Sequence, residues 1–316
     1  MRDYADEAYL HARLYAMRSR LLSMKDYVVL ARNQNEALYD KTAAPDPVVA
    51  EEIVFREQIA KVIPLAEATA IYTPVFLAFF RQFEALNAKL ILAKAFGLQT
   101  LGQWHDIGRH AILERSLLSE STSLEDILPL LTGTYLSDIL EDVSSYEQME
   151  IRVDLCALKN MYEASALFNP DAKLDFQNLM GRRIAVASTI LSLRLKKTYQ
   201  WDEERIRLFL ERFHDLFEGK TLLHVKVVEE VLYRHLEQSQ AGSAREPSVV
   251  DMEHYLEQYY YNWISSVFHR DFHSICCVAA YLWLLLYQIR NLFKIIEARR
   301  FGFSPERILA GIVCNT

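Results

Sequence analysis

Apolar residues recur every three or four positions along most of this chain, the spacing that gives a helix one buried face. The run RIRLFLERFHDLF, Arg205–Phe217, shows the pattern plainly. No stretch sustains the period-two alternation of a strand between turn signals, so the pattern predicts an all-α protein. Breaks between helices are predicted at TAAPDP (Thr42–Pro47), SESTS (Ser119–Ser123), NPD (Asn169–Asp171) and QSQAGSAREPS (Gln238–Ser248). The last, polar and holding Gly and Pro, reads as a mobile surface loop. The opening MRDYADEAYLHARLYAMRSRLL carries Asp3, Asp6 and Glu7 where an export signal needs basic residues, so it reads as an amphipathic helix.

One segment departs from amphipathic spacing. ICCVAAYLWLLLY, Ile275–Tyr287, holds thirteen residues without a charge. A membrane span needs about 20 mostly apolar residues, and a run of this length is more often a core helix. Arg290 and Lys294 follow soon after, so the segment is predicted to be buried in protein, without a direct transmembrane span.

Self-comparison reveals a repeat. NLFKIIEARRFGFSPERI (Asn291–Ile308) lies over TILSLRLKKTYQWDEERI (Thr189–Ile206) at an offset of 102 residues. Lys197 then falls on Arg299, Tyr199 on Phe301, Trp201 on Phe303, Asp202 on Ser304, and Glu204, Arg205 and Ile206 on Glu306, Arg307 and Ile308. KLILAKAFGLQ matches KIIEARRFGFS at an offset of 205, placing Lys94 on Arg299, Phe96 on Phe301 and Gly97 on Gly302. A separate anchor, MEIRVD (Met149–Asp154) over MEHYLE (Met252–Glu257), gives an offset of 103. The chain therefore reads as three diverged helical units, 1–103, 104–206 and 207–316. In the two later units a helix ends in basic residues that suit its negative end, turns at an aromatic corner, and restarts at a capping Asp202 or Ser304.

Composition narrows the functional classes. Nine glycines and eight prolines in 316 residues favour helices over turn-rich β architecture. A net charge of −7 argues against a general nucleic-acid binder. Four cysteines without a CxxC spacing suit a reducing compartment. His269 and His273, four apart, could share a helix face as metal ligands, but a metalloprotease needs glutamate where Arg270 stands, and no third ligand is suggested. Cys276 and Cys277 read as small core fillers rather than activated thiols. YYYNW, Tyr259–Trp263, reads as packing with phenols reaching a surface. Phosphate loops, GxGxxG and GxSxG are all missing, so no cofactor, metal or catalytic residue is predicted. The basic residues Lys94, Lys197, Arg299 and Arg300 recur at equivalent points. Helix-end electrostatics accounts for them alone, and a shared partner-binding rim is the functional alternative.

The C-terminal YLWLLLYQIRNLFKIIEARRFGFSPERI resembles the signature of the V/A-type ATPase central-stalk family whose members are the C subunit of archaeal-type enzymes and the d subunit of eukaryotic vacuolar ones. Tyr281, Leu282, Arg290, Asn291, Leu292, Arg299, Gly302, Glu306 and Ile308 match it. The N-terminal YLHARLYAMRSRLLSMKDYVVL is similar to the family's opening helix through Tyr9, Ala12, Arg13, Met17, Leu21, Leu22 and Tyr27. Two departures stand out: TAAPDP replaces the family's usual Thr-x-Tyr continuation, and Gln200 replaces a corner glycine. The resemblance implies three pseudo-symmetric helical domains arranged as a funnel, without an active site. It would sit on the cytoplasmic face of a membrane complex, receive the central shaft made of the D and F subunits, and pass torque to the membrane rotor ring for H+ or Na+ transport. Competing readings are a helical-repeat scaffold for another partner, and a metal or thiol enzyme centred on His269, His273 and Cys276.

Overall fold

The structure, a computed structural model, describes residues 2–32, 46–99, 102–119, 123–140, 145–217, 221–242, 247–271 and 273–315. Among them the regular elements are all helices, as the spacing predicts. The first half holds α1 (Arg2–Arg18), α2 (Met24–Ala31), α3 (Pro47–Ile59), α4 (Ile63–Ala68), α5 (Thr73–Ala95), α6 (Ser116–Ser119), α7 (Leu124–Leu131) and α8 (Tyr146–Glu163). The second half holds α9 (Pro170–Lys197), α10 (Glu203–Asp215), α11 (Leu222–Gly242), α12 (Val249–Arg270), α13 (Ile275–Arg300) and α14 (Pro305–Ala310).

Helix starts follow local chemistry. Asp46 caps α3 ahead of Pro47, and Asn169 caps α9 ahead of Pro170, each side chain accepting a first-turn N–H. Ser123 and Ser248 form reciprocal capping boxes with Asp126 and Asp251. The predicted loop Gln238–Ser248 is in part a correction, since α11 continues through Gly242. Residues 42–45 of TAAPDP, 120–122 of SESTS and 243–246 lie outside the described residues.

The chain divides into two compact units, Met1–Ala166 with Gln288–Ile312, and Leu167–Tyr287 with Val313–Thr316. In the first, α5 is the central element, burying Phe76, Phe79, Phe80 and Phe83, with α8 packed along it. The core continues through Trp104, Leu113, Ile127, Leu131, Met149 and Val153. A polar row on α5 holds the non-helical segment that follows. Arg81, Glu84 and Asn87, spaced by three, lie on adjacent turns of one face. Asn87 exchanges two 2.8 Å hydrogen bonds with the backbone of His105. Buried Glu84 accepts from the N–H groups of Ile112 and Leu113 and from Arg81, which also donates to the His110 carbonyl. His105 itself is buried against Phe55 and Phe83, and burial depresses its pKa to about 3, so it stays neutral.

The second unit is organised on α9, against which α10, α11 and α12 pack. Gly181 permits that approach, because a Cβ there would come within 2.6 Å of the His224 ring. Arg183, buried, donates two hydrogen bonds to Glu257 at 3.0 and 2.9 Å, and the Tyr287 hydroxyl donates to the same carboxylate. In YYYNW, Tyr260 and Tyr261 are buried, as packing predicts, and Tyr259 is half-buried, but the Tyr260 hydroxyl is withdrawn from solvent and does not reach a surface. Arg182 lies 4.5 Å from the Trp263 ring.

Helix α13 is the one described helix long and apolar enough to cross a membrane, and 94% of its most apolar window is buried within the protein. Cys276 and Cys277 fill core space there, as expected. The two long helices α5 and α9 also stand in a similar relation to the two MExx helices. Glu150 of α8 reaches Lys89 of α5 at 3.5 Å, and Glu253 of α12 reaches Arg194 of α9 at 2.6 Å.

Candidate functional site

The basic, aromatic corners concentrate the chain's unusual chemistry, and their backbones are alike. At the end of α5, the Leu98 N–H donates to the Ala93 carbonyl (2.9 Å) and the Gly97 N–H to that of Lys94 (2.8 Å). At the end of α13, the Phe303 N–H donates to Ala298 (3.0 Å) and the Gly302 N–H to Arg299 (2.9 Å). This pair of bonds satisfies the last carbonyls and turns the following residue left-handed, at φ +72° for Gly97 and +66° for Gly302. At the end of α9, Gln200 takes φ +56° where the others have glycine. The bonds there are wider-spanning, from the Tyr199 N–H to Arg194 (3.0 Å) and the Trp201 N–H to Leu195 (2.9 Å).

A left-handed L-residue costs about 1–2 kcal/mol, which makes the corners testable with opposite signs. No atom lies within 4 Å of a Cβ built on Gly302, so Gly302→Ala acts through the backbone alone. It should lower stability by about 1 kcal/mol, whereas Gln200→Gly should leave it unchanged or raise it by about 0.5 kcal/mol. Urea midpoints of the two variants check the pair, and a neutral Gly302→Ala would show that the corner does not hold this conformation.

Beyond each later corner the next helix restarts in the same way. Asp202 accepts from the Arg205 N–H at 2.8 Å, and Ser304 from that of Arg307 at 3.4 Å. The Arg205 guanidinium lies 3.7 Å from the Trp201 ring centroid, and Arg307 lies 4.0 Å from that of Phe303. The repeat aligns these pairs in sequence but does not foretell that they stack. The signal was present as an aromatic residue four places before an arginine, with the cap between them.

The four recurring basic residues separate into two kinds. Lys94 donates to the Leu118 carbonyl and Arg299 to the Leu30 carbonyl, tying helix ends to neighbouring chain in the first unit. Lys197 and Arg300 are exposed, and Arg300 lies 5.9 Å from the Phe301 ring. Arg300 also acts on a buried carboxyl of α3. Burial, and secondarily Glu297, raises the pKa of Glu51 to about 7, while Arg300 opposes the rise. The folded state therefore holds a proton on Glu51 that the unfolded state has released between pH 4.5 and 7. Its stabilising contribution is complete below pH 4.5 and is lost as pH rises through 7. Glu51→Gln should match wild type at acid pH and gain melting temperature over it above neutrality.

The second unit has a groove of about 470 Å³ lined by Ser192, Ile206, Leu210, His214 and Leu222 among others. His214 is buried, its Nε2 3.2 Å from Ser188 and its Nδ1 3.0 Å from Thr221. Both ring nitrogens are engaged by hydroxyls, and burial lowers its pKa. It links α9 to the chain entering α11.

The one-face premise behind the metal reading fails. Helix α12 ends at Arg270, and His273 lies beyond it at φ +57°, so His269 and His273 do not share a helix face. Burial pushes the Cys276 thiol up to about 12, away from the reactive thiolate. Among the described residues no group of three or more His, Cys, Asp or Glu is arranged to hold a metal ion.

Compared with known proteins, residues 10–311 match the family described as ATP synthase (C/AC39) subunit. No curated protein matches the chain.

Proposed function

Since the chain belongs to the ATP synthase (C/AC39) subunit family, we propose that it is the central-stalk coupler of a rotary V/A-type ATPase. It receives the shaft, built of the D and F subunits, and carries their torque to the membrane rotor ring, driving H+ or Na+ transport. It works without an active site of its own, peripherally, on the cytoplasmic face of the membrane. Its three units, 1–103, 104–206 and 207–316, form a funnel around the shaft.

The observation that carries this reading is the family match from residue 10 to 311. The recurrent left-handed corners at Gly97, Gln200 and Gly302 support the three-unit repeat, as do the two long helices braced by MExx helices. A torque-bearing part must resist deformation, and close-packed helices tied at their ends supply that stiffness. Of the basic candidates, the exposed Lys197 is the one we assign to protein-partner contact, while Lys94 and Arg299 keep their corners in shape.

Isolation of the membrane complex with this chain present and absent tests the proposal. The shaft should stay with the ring only when the chain is there. A shaft that remains on the ring in its absence would end the coupler reading.

A further inference from the structure

We propose that the corner from Arg300 to Arg307 is a docking surface for an anionic phospholipid bilayer. Phe301 and Phe303 are 68% and 39% exposed, with ring centroids 6.2 Å apart. Two large aromatic groups held side by side in water mark a contact surface rather than scattered exposure. A guanidinium accompanies each ring, Arg300 at 5.9 Å from Phe301 and Arg307 at 4.0 Å from Phe303. Rings that enter the boundary between headgroups and acyl chains, with cations kept beside them at the phosphates, are the chemistry of interfacial binding.

Charge selects the occupant. The chain as a whole carries −7, so an anionic surface repels most of it. The stretch Lys294–Arg307 runs the other way, with Lys294, Arg299, Arg300 and Arg307 against Glu297 and Glu306, a local excess of two positive charges, of which Glu51 of α3 beside Arg300 removes one when ionised. Arg32, at the end of α2, adds a further cation acting on Glu306. A positive corner on an acidic protein fixes which face meets a negative bilayer. The corner is also preorganised, by the bonds around Gly302 and by the Ser304 cap, so little ordering is lost on contact. The inference rests on the coupler reading only in supposing that a membrane lies within reach.

Co-sedimentation of the full chain with vesicles tests it. The chain should bind vesicles of phosphatidylcholine mixed with phosphatidylserine, should not bind phosphatidylcholine alone, and should be released by salt. Phe301→Ser should weaken binding about tenfold. Arg300→Ala should weaken it about fivefold. Unchanged melting temperatures would show both variants folded. Equal binding to both vesicle types, no binding to either, or variants that bind as wild type would overturn the proposal. Capture by polyglutamate without vesicle binding would overturn it in favour of an acidic protein partner. Shaft–ring coupling is measured separately in the assembled complex, so failure of the unmodified chain to bind vesicles while coupling is intact refutes the lipid contact alone.

Discussion

Replacing Glu84 by alanine should destabilise the first unit by about 3–5 kcal/mol, the usual cost of removing one partner from a buried ion pair. Glu84 is fully buried and serves three donors, the N–H groups of Ile112 and Leu113 and the guanidinium of Arg81. Its loss leaves buried donors unmatched, and each such group carries a desolvation penalty of about 1–3 kcal/mol. Glu84→Gln should cost less, because an amide oxygen still accepts from the backbone while the charge opposite Arg81 is gone. Trp104 is the only one of the chain's four tryptophans in the first unit, the others being Trp201, Trp263 and Trp283. Its fluorescence during urea unfolding should report the change, ranked alanine below glutamine below wild type. An alanine variant within about 0.5 kcal/mol of wild type, as an ordinary surface substitution would be, would show that the segment after α5 is not held by this carboxylate.

Glu257→Ala should have an effect of similar size in the second unit. It would strand Arg183, which is ion-paired to that carboxylate at 2.9 Å and buried beside the rings of Tyr260 and Trp283. It would also deprive the Tyr287 hydroxyl of its acceptor. Breaking such a pair costs about 3–5 kcal/mol, whereas replacing both ions by apolar residues of similar volume is often near neutral. The double variant Arg183→Met, Glu257→Leu should therefore recover most of the stability lost by Glu257→Ala. Urea curves followed through Trp263 and Trp283 would read both, and a double variant no better than the single would show that the loss is one of packing rather than of charge.

The helical spacing, the capping residues and the recurrence of a corner at Gly97 and Gly302 were legible in the sequence because each depends on residues a few positions apart, whereas the left-handed backbone of those corners came from the structure. So was the burial of Ile275–Tyr287, from its length and its basic continuation. The row of Arg81, Glu84 and Asn87 was not, because its partners lie in an irregular segment with no period to betray it. The return of Gln288–Ile312 to the first unit is likewise a long-range fact. His269 and His273 looked like neighbours on one helix because the break after Arg270 contains neither Gly nor Pro. The turn there is made by a left-handed histidine, a conformation that residue type alone does not announce. At the corners, sequence found the recurrent basic residues but not their division, since a lysine that donates to a carbonyl within its unit and one that faces solvent read identically.

The central claim is that this chain transmits torque, and ATP-driven ion uptake tests it most directly. Membranes carrying the complex with and without the chain would be compared for uptake and ATP hydrolysis together. The expected result is that ion uptake disappears without the chain and returns when it is added back, while hydrolysis by the catalytic part continues in its absence. Undiminished uptake without it would contradict the account.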